Sequence, residues 1–239
     1  MTTIAHNLQR VLDTMAHACA AAGRAPASVA LLAVSKTFGA EDVLEAIAAG
    51  QRDFGENYIQ EGVDKIAAVR AAAHDAALQW HCIGLIQSNK TRLVAEHFDW
   101  VHTVDRLKIA ERLSAQRPEH LAPLQVCIQV NIDGGPTKSG VPPEEAAALV
   151  QAVATLPRLQ VRGLMCIPDS APDFEAQLAI NESAARLFDA IGQLAVPGLE
   201  QFDTLSLGMT ADLQAAIQAG STLVRVGTGI FGGRTYAAA

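Results

Sequence analysis

One lysine of this chain stands where amine chemistry is possible. Lys36 follows the apolar run at residues 29–34, and Gly39 closes the segment, a pattern typical of a buried parallel strand. In α/β barrels, the C-terminal ends of the strands carry the active site. Burial there would lower the pKa of the lysine, because it disfavours the ammonium form, and a neutral amine attacks aldehydes. The alternative is a lysine that ends a strand and extends its charged tip into water.

Two glycine-containing segments near the end of the sequence are suited to hold an anion. One is SLGMT, which begins at Ser206 and contains Gly208, and the other is RVGTG, which contains Arg225, Gly227 and Thr228. Hydroxyls, backbone amides at a helix start and a guanidinium all bind phosphate. Barrels often hold phosphate after strands seven and eight, which are the strands predicted to precede these segments. Two ordinary loops are the alternative, and their adjacency at this position favours the phosphate site.

Residues 227–232 also match the dinucleotide-binding pattern GxGxxG. That fingerprint needs an acidic residue about 20 positions later, in a following strand. The sequence reaches Ala239 before that position. We therefore expect no dinucleotide site at these glycines.

Strand-like and helix-like patterns alternate along the whole sequence. The predicted strands are residues 29–34, 52–54, 80–83, 100–104, 124–130, 159–166, 204–207 and 223–226. This alternation predicts one α/β domain over residues 1–239, a single (β/α)8 TIM-type barrel with an extra N-terminal helix. A doubly wound open sheet is the less favoured alternative. Asp105 and Thr210 are expected to cap the helices that follow them. The loop 131–143 is rich in Gly and Pro, contains Lys138 and is the best candidate for a mobile lid.

Composition excludes several classes of function. Half of the residues are hydrophobic and the formal net charge is −7, which argues against a nucleic-acid groove or an anionic membrane surface as partner. No signal peptide and no membrane-spanning run are recognisable. The cysteines are far apart and the sequence lacks CxxC and HExxH, so we expect buried free thiols, no metal and a cytoplasmic location.

Short stretches spread over almost the whole chain closely resemble one known family. They are AVSK (33–36), FGENY (54–58), WHCIG (80–84), QSNK (87–90), KSG (138–140), GLM (163–165), LSLGM (205–209) and RVGT (225–228). Together they resemble the pyridoxal phosphate homeostasis protein family (YggS/PROSC-like), which is similar in fold to the N-terminal barrel domain of alanine racemase. Cys82, where phenylalanine is usual, and Leu85-Ile86 depart from the family pattern at positions that concern packing.

The resemblance implies that Lys36 holds pyridoxal 5′-phosphate (PLP) as a Schiff base. The residues that it implies for cofactor binding are Lys36, Asn57, His81, Met165, Ser206, Gly208, Arg225, Gly227 and Thr228. Ser206, Arg225, Gly227 and Thr228 would surround the phosphate or the ring nitrogen. Other roles stay open: His81 as a core histidine, Asn57 as a helix cap, Met165 as core filling, and Lys138 as either a solvated side chain or an anion contact.

The resemblance also implies a carrier that does not catalyse. PLP becomes a strong electron sink when an acidic partner keeps its ring nitrogen protonated, and Arg225 cannot accept a proton. A racemase needs acid and base groups on both faces of its substrate, and Tyr58 and Tyr236 offer no obvious pair. We therefore expect a monomer that takes part in PLP homeostasis, with PLP-dependent apo-enzymes as candidate partners. The alternatives are a PLP-dependent, racemase-like enzyme for amino acids, a class I-type aldolase and a protein-binding scaffold.

Overall fold

The computed structural model describes residues 2–74, 76–135 and 137–233. Eight parallel strands form a closed barrel, in which each strand pairs with the next along the chain and β8 pairs with β1. The strands are β1 (Ala30–Val34), β2 (Asp53–Glu56), β3 (Gln79–Cys82), β4 (Trp100–Val104), β5 (Leu124–Val130), β6 (Leu159–Cys166), β7 (Thr204–Ser206) and β8 (Leu223–Val226). The prediction of a (β/α)8 TIM-type barrel is confirmed.

Helices surround the barrel, and one of them precedes the first strand as predicted. They are α1 (Thr3–Ala21), α2 (Ala40–Ala48), α3 (Ile59–Ala72), α4 (Thr91–His97), α5 (Leu107–Gln116), α6 (Pro143–Ala154), α7 (Phe174–Gly192), α8 (Leu213–Ala219) and α9 (Thr228–Phe231). None of the helices in the described part of the chain has the length and apolarity that crossing a membrane requires.

The main hydrophobic layer lies between the strands and the helices. In β5, Leu124, Val126, Ile128 and Val130 belong to the same buried cluster as Val150 of α6. Their period of two residues places them on one face of the strand, and each aliphatic side chain buried in this way contributes about 1.5–3 kcal/mol. The periodicity of the sequence therefore accounts for the outer layer of the barrel.

Two predicted helix caps are wrong. The residue that precedes α5 is Arg106, and its guanidinium binds the Asp105 carboxylate at 3.0 Å, so Asp105 neutralises a neighbour instead of capping the helix. Thr210 lies too far before α8, whose N-terminal flanking residue is Asp212. The Asp212 carboxylate accepts a hydrogen bond from the Met209 amide at 2.7 Å, which folds the β7–α8 connection into a turn of its own.

The expectation of free thiols is confirmed. Cys19, Cys82, Cys127 and Cys166 are all buried and unbridged. In residues 2–74, 76–135 and 137–233 the structure has no cluster of three or more His, Cys, Asp or Glu side chains that could hold a metal ion.

Candidate cofactor site

A cavity of about 320 Å³ opens at the C-terminal ends of the strands. Its wall is formed by residues that follow or end β1, β2, β3, β6, β7 and β8, namely Val34, Lys36, Asn57, Ile83, Ile167, Met209, Thr210, Ala211, Arg225, Gly227 and Thr228. The volume lies in the range of small-molecule sites. Five of the nine residues that the family resemblance implied are therefore together in one wall: Lys36, Asn57, Arg225, Gly227 and Thr228.

Lys36 lies in a turn that is held on both sides. The Ser35 amide donates to the Gly55 carbonyl at 3.0 Å, which continues the β1–β2 pairing past the end of β1. On the other side, Thr37 has a φ of 68° and its amide donates to the Glu61 carboxylate at 2.7 Å. A positive φ in a β-branched residue is unfavourable, so the surrounding hydrogen bonds must hold it. The turn fixes the direction in which the lysine leaves the strand.

A buried ion pair lies beneath this turn. Lys65 Nζ of α3 contacts Glu56 Oε1 of β2 at 2.7 Å, and the side chains are only 5% and 0% exposed. The Ser35 hydroxyl donates to the same carboxylate oxygen at 2.6 Å, and Lys65 donates to the Ser35 carbonyl at 2.7 Å. Burial raises the pKa of Glu56, although Lys65 and Ser35 oppose the shift. The ion pair thus anchors the residue that precedes Lys36.

The sequence analysis did not identify Glu56 and Lys65. A signal for Lys65 existed, because it follows Gly62 and precedes Val69 on the buried face of α3, where a charge needs a partner. Glu56 lies inside the FGENY stretch, at the last position of a strand that is otherwise apolar at its end. The pairing itself depends on how α3 packs on β2, which neither position reveals alone.

Asn57 contributes a buried polar atom next to the cavity. Its Oδ1 is buried and has no hydrogen-bond partner in the described part of the structure. The residue does not cap α3, because Tyr58 occupies the capping position. A Cβ atom on Gly84 would lie 1.9 Å from the Asn57 carbonyl oxygen, so only glycine allows the β3 connection to approach this closely. Gly84 therefore helps to place Asn57 against the cavity.

Arg225 brings a buried cation to the cavity wall. The residue is 4% exposed. Its Nη1 donates to the carbonyl and the hydroxyl of Ser206 at 2.8 and 2.7 Å, and its Nη2 donates to the Cys166 carbonyl at 2.8 Å. Burial lowers the pKa of the guanidinium. Neutral oxygens of β6 and β7 thereby fix the plane of the guanidinium.

Glycines give the strand ends of β7 and β8 their shape. Gly208 has a φ of 94°, and a Cβ there would lie 2.4 Å from the Ala216 Cβ. Its carbonyl accepts from the Arg225 amide at 3.0 Å. A Cβ on Gly227 would lie 3.2 Å from the Val34 carbonyl, so β8 and β1 approach closely just before Lys36. Gly208 therefore supports the wall that Gly227 and Thr228 line.

Three of the implied residues lie beneath this wall or farther down the barrel. Ser206 is fully buried and contacts Arg225 and His102. His81 contacts His102 and Asp53 and stacks on Trp100, where Asp53 and Trp100 are the first residues of their strands, so its ring lies toward the opposite mouth.

Met165 is fully buried beside Ser206 in the β6–β7 register. The sequence analysis also did not identify His102, nor Ile83, Ile167 and Ala211 of the cavity wall. A histidine inside a buried strand was the signal for His102.

The candidate lid is linked to the cavity wall through Lys138. Its Nζ contacts the carboxylates of Asp133 and Asp169 at 2.7 and 2.9 Å and donates to the Ile167 carbonyl at 2.9 Å. Hydrogen bonds to both carboxylates raise the pKa of this lysine despite its partial burial. Pro136 of the same loop lies outside the described residues. Lys138 is therefore engaged in ion pairs at the edge of the site.

Comparison with known proteins decides the family. Residues 2–235 match the model of the family described as alanine racemase, N-terminal domain. The pyridoxal phosphate homeostasis protein of Vibrio cholerae is 54% identical over 236 residues, which cover 99% of this chain and 98% of that protein. The chain belongs to the pyridoxal phosphate homeostasis protein family. The resemblance of its short motifs to this family is confirmed.

Solved structures agree with this family and with the fold. The structure of PipY from Synechococcus elongatus PCC7942 with PLP bound is 36% identical in sequence and has a TM-score of 0.76. The match covers 91% of this chain and 100% of PipY. An alanine racemase from Corynebacterium glutamicum has a TM-score of 0.64 at 21% identity, and the match covers 98% of this chain and 62% of that one. The second similarity concerns the barrel fold alone.

Proposed function

We propose that this chain binds PLP in the cavity at the strand ends and takes part in intracellular PLP homeostasis without catalysing a reaction. The observation that carries the proposal is the position of Lys36, which shares one cavity wall with Arg225, Gly227 and Thr228. The homeostasis role for which the V. cholerae relative is named and the PLP bound in the PipY structure support it. Lys36 holds the cofactor as a Schiff base: its nitrogen bonds to the aldehyde carbon, and the aldehyde oxygen leaves as water.

The residues of the cavity fit this cofactor. Gly227 and Thr228 offer amides and a hydroxyl for an anionic group, and Arg225 offers a cation beside them. Asn57 Oδ1, buried and without a partner in the described structure, is an atom that a ligand hydrogen-bond donor would satisfy. The cavity of about 320 Å³ is large enough for one substituted pyridine ring. His81, Met165, Ser206 and Gly208 act from behind this wall.

The chemistry of the wall favours a carrier over an enzyme. The described lining residues include neither a carboxylate nor a tyrosine, so no side chain other than Lys36 is suited to move protons there at neutral pH. If Arg225 faced the pyridine nitrogen of the bound cofactor, it would leave that nitrogen unprotonated, because a guanidinium cannot donate a proton to it, and carbanion stabilisation would be weak. Tyr58 is 56% exposed, outside the wall, and Tyr236 lies outside the described residues.

The remaining proposals concern the setting of the protein. We propose one cytoplasmic barrel domain over residues 1–239 that works as a monomer and passes PLP to apo-enzymes. Four exposed side chains that are largely apolar lie on residues that line the cavity or follow a lining residue within two positions, namely Tyr58, Leu85, Ile167 and Met209. Such a rim is suited to transient contact with a protein that receives the cofactor.

Borohydride reduction tests the central claim. Reduction of the PLP-loaded protein, followed by peptide mass spectrometry, is expected to place one adduct on Lys36. Lys36→Ala should lose the adduct and the visible absorbance, whereas Lys108→Ala, which removes an exposed lysine of α5, should keep both. An adduct that maps to another lysine in the wild type would overturn the role of Lys36.

An amino-acid panel separates the carrier from the racemase-like enzyme. The PLP-loaded protein is expected to show no racemisation or decarboxylation at rates above about 1 s⁻¹, the lower end of ordinary enzyme turnover. Lys36→Ala serves as the background control. Turnover in the ordinary range with any amino acid would contradict the carrier.

A further inference from the structure

A single file of hydrogen bonds leads from Arg225 through the barrel to its opposite mouth. Arg225 Nη1 lies 2.7 Å from Ser206 Oγ, which lies 2.9 Å from His102 Nδ1. His102 Nε2 lies 2.9 Å from His81 Nδ1, and His81 Nε2 lies 3.4 Å from Asp53 Oδ1. Ser206, His102, His81 and Arg225 are each 4% exposed or less, whereas the Asp53 side chain is 38% exposed.

Both ends of the file impose the same direction of donation. A guanidinium only donates, so Ser206 Oγ accepts from Arg225, and its own hydrogen is free to bond His102 Nδ1. A carboxylate only accepts, so His81 must carry its hydrogen on Nε2. With both rings neutral, His81 Nδ1 then accepts from His102 Nε2–H. Every donor in the file finds an acceptor, and the tautomer of each histidine is determined.

The surroundings of the two rings keep them neutral. Burial lowers the pKa of His81, which Asp53 and Asp99 oppose only in part. Burial also lowers the pKa of His102 well below its usual range, and the neighbouring His81 and Arg225 add to that shift. Trp100 stacks on His81 and in turn contacts the Arg162 guanidinium. An additional proton on His81 Nδ1 would make two N–H groups face each other, and one on His102 Nδ1 would leave the Ser206 hydroxyl hydrogen without an acceptor in the file.

We propose that His102 and His81 are positioning residues for Arg225. They hold the Ser206 hydroxyl with its lone pairs toward the guanidinium, and they connect that buried cation to the Asp53 carboxylate at the far mouth. Arg225 has only neutral oxygens as direct partners among the described hydrogen bonds. Asp212 acts on it through space and opposes the lowering of its pKa, and the aligned dipoles of the file add the influence of the distant Asp53 carboxylate. The expected effect on PLP binding rests on the proposed function, whereas the assignment of the two tautomers does not depend on it.

The tautomers are tested without any ligand. Nitrogen-15 NMR of the imidazole side chains in the ligand-free protein, assigned with His81→Gln and His102→Asn, is expected to show both rings neutral with hydrogen on Nε2. Asp53→Asn keeps a hydrogen-bond acceptor for His81 and should preserve this pattern. Asp53→Leu removes that acceptor and should yield a mixture of tautomers in both rings. Hydrogen on His102 Nδ1 in the wild type would overturn the proposal.

The effect on cofactor binding is tested by the dissociation constant for PLP. Asp53→Leu is expected to weaken binding by about threefold to tenfold, the range of one net hydrogen bond. Asp189→Leu is the control, because Asp189 is an exposed carboxylate of α7, away from the file. Equal weakening by both variants would overturn the positioning role, while a wild type that binds no PLP would instead refute the proposed function.

Discussion

Two lysines near the first strand, Lys65 and Lys36, have different roles in this barrel. Lys65 is buried, and its ammonium group bonds the Glu56 carboxylate and the Ser35 carbonyl. Lys36, one residue beyond Ser35, is partly exposed at the cavity. The first lysine therefore stabilises the turn from which the second extends.

Lys65→Met tests this support at the scale of single residues. It leaves the Glu56 carboxylate buried without its cation, so we expect a loss of roughly 3–5 kcal/mol in the free energy of unfolding at neutral pH. Urea denaturation measures it. The loss should shrink as the pH falls, because burial has raised the pKa of Glu56 and a protonated carboxyl no longer needs the partner.

The double variant Glu56→Gln with Lys65→Met is the control for this prediction. It removes both charges, and we expect it to recover part of the lost stability. If the single variant were as stable as the wild type, the ion pair would have no structural role.

Arg225→Lys tests the fixed guanidinium. Lysine keeps the charge but cannot donate in one plane to Ser206 and to the Cys166 carbonyl together. We expect PLP to bind at least about tenfold more weakly, since two or more charged hydrogen bonds are lost from the wall or its support. Absorbance titration with PLP measures the affinity. An unchanged affinity would remove Arg225 from the site.

At the scale of elements, the connection after β3 decides where Asn57 lies. Gly84→Ala adds a Cβ that would lie 1.9 Å from the Asn57 carbonyl oxygen, so backbone must move. Overpacking of this kind costs about 1–3 kcal/mol, and we expect weaker PLP binding as Asn57 shifts. Gly192→Ala is the control, because its Cβ would meet nothing closer than 3.5 Å at the end of α7. Thermal unfolding and PLP titration of both variants check the prediction, and similar behaviour of the two would contradict it.

Elements were predictable where a period of two or of 3.6 residues runs without interruption. β5 is such a case, since its alternation fixes both its bounds and its outer face. The caps at Asp105 and Thr210 were not predictable, because the residues between a strand and its helix form local turns and ion pairs that compete for the same side chains.

At the scale of the whole molecule, the sequence predicted which residues gather at the strand ends but not which ones meet inside the barrel. Lys36, Gly227 and Thr228 come together because parallel strands place all their C-terminal ends on one side. The contact between His102 of β4 and Ser206 of β7 spans the interior. It depends on closure and on the register of every strand between them, which no local pattern encodes.

The buried histidines make the whole barrel sensitive to acid. His81 and His102 have lowered pKa values when folded, so below about pH 6.5, the ordinary value, the unfolded chain binds protons that the folded chain does not. Their contribution to stability is therefore complete above that pH and is lost as the pH falls toward the folded pKa values, by up to about 1.4 kcal/mol per pH unit for each ring. Urea unfolding at pH 7.5 and 5.5 measures it. His102→Asn should reduce the difference between the two pH values by about half, because one of two titrating rings is gone. An undiminished difference in that variant would mean that His102 is not neutral in the folded barrel.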